Sequence, residues 1–258
     1  MISREPPSGA VAPLPLWPTV AAAYRLVLGN FVALMKLATL PFVLLLLINA
    51  LATLLDPLAY SLAWEFGVEL PWTMMAVGWL RHLLLAPGPE GAVFFPKLCP
   101  RHLRFLGYAL LLSAIGLPLT LFAYPADYLA LEGTQRTVIY WALYLLIFYL
   151  SLRFSFVYAA VALDENYSLA LAWRHTRGIS FTLFLAVGLA AMLPWQICSY
   201  LLSVHLQPDS VMTVIAAFLW HAGLWLLEAT YLAFVAVAFR TCTGWVPAPD
   251  PRMLERFE

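Results

Sequence analysis

Glu228, a carboxylate in the middle of an apolar run, is the residue best placed to do chemistry. It lies twelve residues before Arg240, about 18 Å along a helix. Arg153 lies eleven residues before Asp164, about 16 Å by the same rise. A lone charge at such depth in a bilayer costs roughly 2.5–3.5 kcal/mol on insertion scales. Pairing of Arg153 with Glu228, or protonation of Glu228, would relieve that cost. One reading is a proton relay or ion site, with His221 two turns outward on the face of Glu228. The other is a structural ion pair or hydrogen-bonded acid that locks two helices together. The second is preferred, because no other acid is expected at that depth. Arg81 lies about 9 Å along a helix from Pro87 and is expected to snorkel to the inner interface. The alternative is a second partner for Glu228.

Arg25, Lys97, Arg101, Arg104, Arg174 and Arg177 gather near two amphipathic segments. Such cations attract lipid phosphates by roughly 1 kcal/mol each near a membrane surface. This collar reads first as a set of topology determinants and second as an anionic-lipid site. The chain has no HExxH, GxSxG, P-loop or dinucleotide motif. Cys99 and His102 are neighbours, but two ligands do not make a zinc site. No catalytic residue, metal or cofactor is therefore expected. An intramembrane enzyme would need a groove bringing His102, Arg101 and Glu90 together.

The elements that position these residues are long and apolar. Hydrophobic residues make up 63% of the chain and charged residues 11%, against roughly 45–50% and about 25% in soluble domains. Lipid must solvate the excess. The expected fold is all-α and integral to the membrane, with six spans and two cytoplasmic-face amphipathic helices. The spans are Leu37 to Leu55, Trp72 to Ala86, Phe105 to Tyr124, Thr137 to Leu163, Phe181 to Ser203 and Val211 to Arg240. The first amphipathic helix runs from Pro18 to Met35, with Val20, Tyr24, Val27, Leu28, Phe31 and Met35 on one stripe. Ser168 can cap the second. There Leu169, Ala172, Trp173 and Thr176 share a face opposite Arg174 and Arg177, and Gly178 is a stop. Trp64 and Trp72 read as interfacial anchors. Residues 1–17 read as a flexible lead, 18–241 as one transmembrane domain, and 242–258 as a short cytoplasmic tail.

Loop cations fix orientation because they resist translocation. With the N-terminus inside, Arg4, Arg25, Lys36, Arg81, Lys97, Arg101, Arg104, Arg174, Arg177, Arg240, Arg252 and Arg256 are cytoplasmic. Arg153 lies toward that side, and Arg136 alone falls outside. The outer loops hold Asp56, Glu65, Glu69, Asp127, Glu132 and Asp209. Both termini are thus expected inside. The net charge of +0 hides this sided distribution, which points to a membrane and to no nucleic-acid partner. Cys99, Cys198 and Cys242 form no CxxC, and a structural disulfide is not expected. Ala23-Tyr24-Arg25 with Gly29 matches Ala172-Trp173-Arg174 with Gly178 at the same spacing. Either a parallel repeat or common interfacial composition accounts for this.

The run Arg153-Phe154-Ser155-Phe156 with Leu163-Asp164, Ala170-Leu171-Ala172-Trp173-Arg174 and Thr176-Arg177-Gly178 resembles uncharacterised six-helix bacterial inner-membrane proteins. They are distantly YciC-like and similar to the membrane domain of some glycerophosphodiester phosphodiesterases. Gly78-Trp79-Leu80-Arg81-His82, Glu228 and Phe239-Arg240 extend the likeness from about Pro18 to Arg240. Relatives often carry a proline after the Arg153 motif, where this chain has Tyr158-Ala159-Ala160, so span four should be unbroken. The resemblance implies architecture and the bacterial cytoplasmic (inner) membrane. It implies no phosphodiesterase activity, since that soluble domain has no counterpart here.

The expected function is non-enzymatic: an accessory or scaffold protein in envelope or lipid homeostasis, or a subunit of a larger membrane assembly. Its partners would be anionic lipid head groups on the cytoplasmic side and a membrane protein. The alternative is a small transporter or channel using Glu228, Arg153 and His221. A water-accessible cavity reaching Glu228 would favour the alternative, and dry packing around it the scaffold.

Overall fold

The computed structural model describes residues 14–52, 54, 66–85, 99–123, 133–205 and 211–245. Among these, every regular element is a helix. In chain order they are α1 (Leu16–Gly29), α2 (Phe31–Ala52), α3 (Glu69–Leu84), α4 (Pro100–Ala123), α5 (Gly133–Phe154) and α6 (Phe156–Ala162). Then come α7 (Leu169–Thr176), α8 (Ser180–Val187), a π-helical segment (Gly188–Met192), α9 (Leu193–His205) and α10 (Val211–Thr243). Four stretches are long and apolar enough to cross a bilayer: Phe31–Leu51, Thr137–Ala162, Ser180–Cys198 and Phe218–Thr243. By helix length and composition the chain is a multi-pass membrane protein. The helices expected as spans two and three, α3 and α4, are not among those four.

The core is one contiguous cluster running from Leu14 to Phe239. Its centre is α3, α6 and the second half of α10. Every residue of α6 is buried, and so are ten residues of α3, from Pro71 to Leu84. The rim is α2 and the α8–α9 rod, whose apolar windows are only 28% and 22% buried. Leu47, Leu51, Phe181, Leu189 and Ile197 point outward there. Outward leucines cost nothing where the solvent is lipid.

The first amphipathic helix was expected to lie on the membrane surface, and most of its apolar stripe does face outward. Thr19, Ala23 and Val27 face inward, against α10. Tyr24, Leu28, Phe31 and Met35 of the expected stripe are exposed. Small residues let helices approach closely in lipid, so they mark the contact face better than large apolar ones do. The boundary also moves from Lys36 to Asn30. Both the backbone N–H and the side-chain amide of Asn30 donate to the Leu26 carbonyl, at 3.2 and 2.8 Å. This ends α1 and releases α2. The Asn30 amide oxygen meets His82 Nε2 at 3.0 Å, tying the joint to α3.

Span four is interrupted at Ser155. Its hydroxyl and its N–H both reach back three residues to the Leu152 carbonyl, at 2.8 and 3.3 Å. This tightens one turn between α5 and α6 without a proline. Span five is interrupted by the π segment ahead of Pro194. Proline lacks the N–H that would bond four residues back to Ala190. The Tyr24 hydroxyl of α1 donates to that carbonyl instead. The second amphipathic helix matches its expected form in its cap and at Ala172 and Thr176, but Trp173, expected on their face, is exposed. The Ser168 hydroxyl accepts from Leu171 N–H at 3.2 Å, Ala172 and Thr176 are buried, and Arg174 and Arg177 are exposed.

Helix ends are held by arginines. Arg81 donates to the Ala162 carbonyl at 2.8 Å, and Arg240 to the Leu84 carbonyl at 2.6 Å. A guanidinium on terminal carbonyls satisfies orphan acceptors and complements the helix dipole. Farther along α10, Gly223 leaves room for the indole of Trp195, which a Cβ would strike. Gly223→Leu should therefore part α9 from α10 and cost about 1–3 kcal/mol. Thermal unfolding in nanodiscs checks this, with Gly107→Ala as the control, since a Cβ there meets nothing within 4 Å.

Candidate functional site

Trp72 and Trp79 are seven residues apart on α3, two turns, and so share a face. Each donates to α10. Trp79 Nε1 reaches the Ala229 carbonyl at 2.9 Å, and Trp72 Nε1 reaches Glu228 Oε2 at 3.2 Å. Trp72, expected as an interfacial anchor, is thus a partner of Glu228. Its ring is held by Phe105 at 5.4 Å and by Tyr158 edge-on at 5.1 Å between centroids. One turn before Trp72 stands Glu69, the first residue of α3. Its carboxylate accepts a hydrogen bond from the Ser113 hydroxyl of α4.

Glu69 and Glu228 line one partly open cavity of about 360 Å³. Trp72, Phe148, Tyr158, Trp225 and Tyr231 contribute aromatic faces to the same wall, and Ser151 a hydroxyl. No basic side chain is among its described lining residues. Glu69 was expected on an outer loop, and its place in the cavity is the main addition to the site. A second acid therefore lies in the same space as Glu228.

The structure does not bring Arg153 to Glu228. Arg153 is 2% exposed, yet its contacts lie on the other side of its helix. Its guanidinium stacks over Trp173 at 3.9 Å and donates to the Trp173 carbonyl at 2.8 Å and to Ser180 Oγ at 3.2 Å. The reason is angular. Phe148, Ser151 and Tyr158 recur at helical spacing and face the cavity, whereas Arg153 is two residues past Ser151, about 200° around the helix. Depth counted back from Asp164 also misleads. Arg153 lies level with the junction of α7 and α8, and α6 runs on past it. His221 is buried on α10 but is not part of the cavity lining.

Arg81 goes to the collar and not to Glu228. Arg81, Arg101 and Arg104 surround Asp164 at 3.6, 3.1 and 3.8 Å. Asp164 closes α6 with φ of 61°. Asp164 N–H bonds to the Val161 carbonyl at 3.1 Å and Glu165 N–H to Ala160 at 2.9 Å. That pattern ends helices with a left-handed residue, usually glycine. An aspartate tolerates the conformation better than most side chains, and here its carboxylate gains three cations. Arg25, Arg174 and Arg177 are exposed. Lys97 and Glu90 lie outside the described residues. The chain matches no protein-family model, no curated protein and no solved structure.

Two predictions follow from the collar's geometry. Asp164→Asn keeps a side chain suited to the left-handed backbone and removes the charge. The pairs are partly exposed, so the loss should be roughly 1 kcal/mol and should shrink in high salt. Melting curves at low and high ionic strength check both points. His102 is buried, accepts from Cys99 N–H at 3.2 Å, and lies near Arg101, Arg81 and Asp164. Burial first, and Arg101 next, push its imidazole below the ordinary 6.5. A base depressed on folding binds fewer protons folded than unfolded. Its contribution is complete above 6.5 and is lost as pH falls from there toward the folded value. His102→Gln should flatten that part of the stability profile, measured by denaturation midpoints from pH 5 to 8.

Proposed function

We propose that this chain is a small transporter of the bacterial cytoplasmic membrane whose solute site is the acidic cavity between α3, α5 and α10. It would be non-enzymatic, with six spans and both termini inside. The supporting observation is the cavity itself. A space of about 360 Å³ reaches Glu228 and contains a second carboxylate, Glu69. A scaffold has no need of a void at its most deeply placed acid, since packing such a site would recover dispersion contacts. Small-molecule sites commonly have this size, an apolar wall and a few polar groups. The six-span reading and the orientation rest on the sided loop cations and on the resemblance to six-helix inner-membrane proteins. The collar of Arg25, Lys97, Arg101, Arg104, Arg174 and Arg177 would meet anionic head groups on the cytoplasmic face.

Carboxyl infrared difference spectroscopy in nanodiscs tests this, with Glu228→Gln as the blank. The expected result is a Glu228 band that exchanges with D₂O within seconds and responds to pH. A band that neither exchanges nor responds would return the protein to the scaffold reading, with a membrane-protein partner to be sought.

A further inference from the structure

We propose that the solute held in this cavity is a lipophilic organic cation, a compact quaternary ammonium or similar onium ion. This rests on the reading of the cavity as a solute site and adds the chemical class. Charge comes first. Glu69 and Glu228 both open into the space, and no Lys, Arg or His is among its described lining residues. An anion would meet these two acids and no basic side chain among the described lining residues. A monocation would offset the Glu228 carboxylate, where an uncompensated charge within a span is expensive.

The wall then decides what kind of cation. Small inorganic ions are held by six or more oxygen ligands in a close shell. Here the oxygens are two carboxylates and scattered hydroxyls, set among five aromatic rings. Ring faces carry negative potential and attract soft cations, most strongly when the site is dry. Trp72 and Tyr158 stand edge to face, 5.1 Å between centroids, so the rings meet at a corner and do not stack into a closed plug. An onium centre with methyl or benzyl substituents presents spread charge to the acids and apolar surface to the rings. The volume of about 360 Å³ suits a ligand of that size. Trp72 links the two halves of the site, since its N–H donates to Glu228 while its ring forms part of the wall.

The test uses the full chain in nanodiscs and isothermal titration with benzyltrimethylammonium, against empty nanodiscs. Neopentylbenzene, the same shape without charge, is the comparison. The cation should bind at least tenfold more tightly than its neutral isostere. Glu228→Gln and Glu69→Gln should each weaken it at least tenfold. Each amide retains an oxygen that can accept from Trp72 or Ser113, so the fold should survive. If one variant fails to fold, the other serves. Equal binding of the neutral compound, or full binding by both variants, would overturn the assignment. Water access at Glu228 without cation binding would leave the solute site standing and remove only the onium class. A sealed, non-exchanging Glu228 would remove both.

Discussion

Two indole N–H groups on one face of α3 hold the centre of this molecule together. Trp72 and Trp79 donate to neighbouring acceptors on α10, the Glu228 carboxylate and the Ala229 carbonyl. In lipid, apolar contact gains little over the tails it replaces, so directed hydrogen bonds and close packing must fix helix register. The clasp does this and sets the cavity at the same time. It fixes Glu228 against α3, one turn from Glu69, while Phe105 and Tyr158 keep the Trp72 ring from swinging into the space between them.

Several other polar groups obey the same constraint. Two breaks in the helix ladders are repaired from a neighbouring element. Tyr24 of α1 answers the carbonyl four residues before Pro194. Thr176 donates to the Arg153 carbonyl at 2.9 Å, just before the Ser155 turn. Arg81 and Arg240 cover the ends of α6 and α3. Irregular backbone at membrane depth is tolerated only with such partners. These repairs give each helix one place to sit.

Much of the helical layout was legible in the sequence, because apolar runs of spanning length and a serine cap are local signals. Ser168 capped its helix as its spacing implied. Contact faces were not legible. The α1 stripe was placed by hydrophobicity: Leu28 and Phe31 face outward as a lipid-facing stripe would, but Val27 of the same stripe turns inward with Thr19 and Ala23. The site was half legible. Glu228 stood out as an acid in an apolar run. Glu69 did not, because it sits where such a run begins and looks like any loop acid. Its role depends on α3 starting inside the bundle beside Ser113. Arg153 was misassigned because depth along a helix was considered without angle around it, and 200° decides its neighbours.

The two sides of the cavity differ mechanically. On the α3 side, ring contacts and the indole bonds make a stiff wall. On the opposite side stands Met192, the last residue of the π segment. A π turn interrupts the cooperative ladder and is commonly found where helices yield. Methionine adds a thioether chain that can adopt several shapes at little cost. The wall at Met192 is therefore built of more yielding parts than the wall at Trp72. Expansion of the cavity would be taken up along α8 and α9, on the lipid-facing rim, while the acids on α3 and α10 keep their spacing.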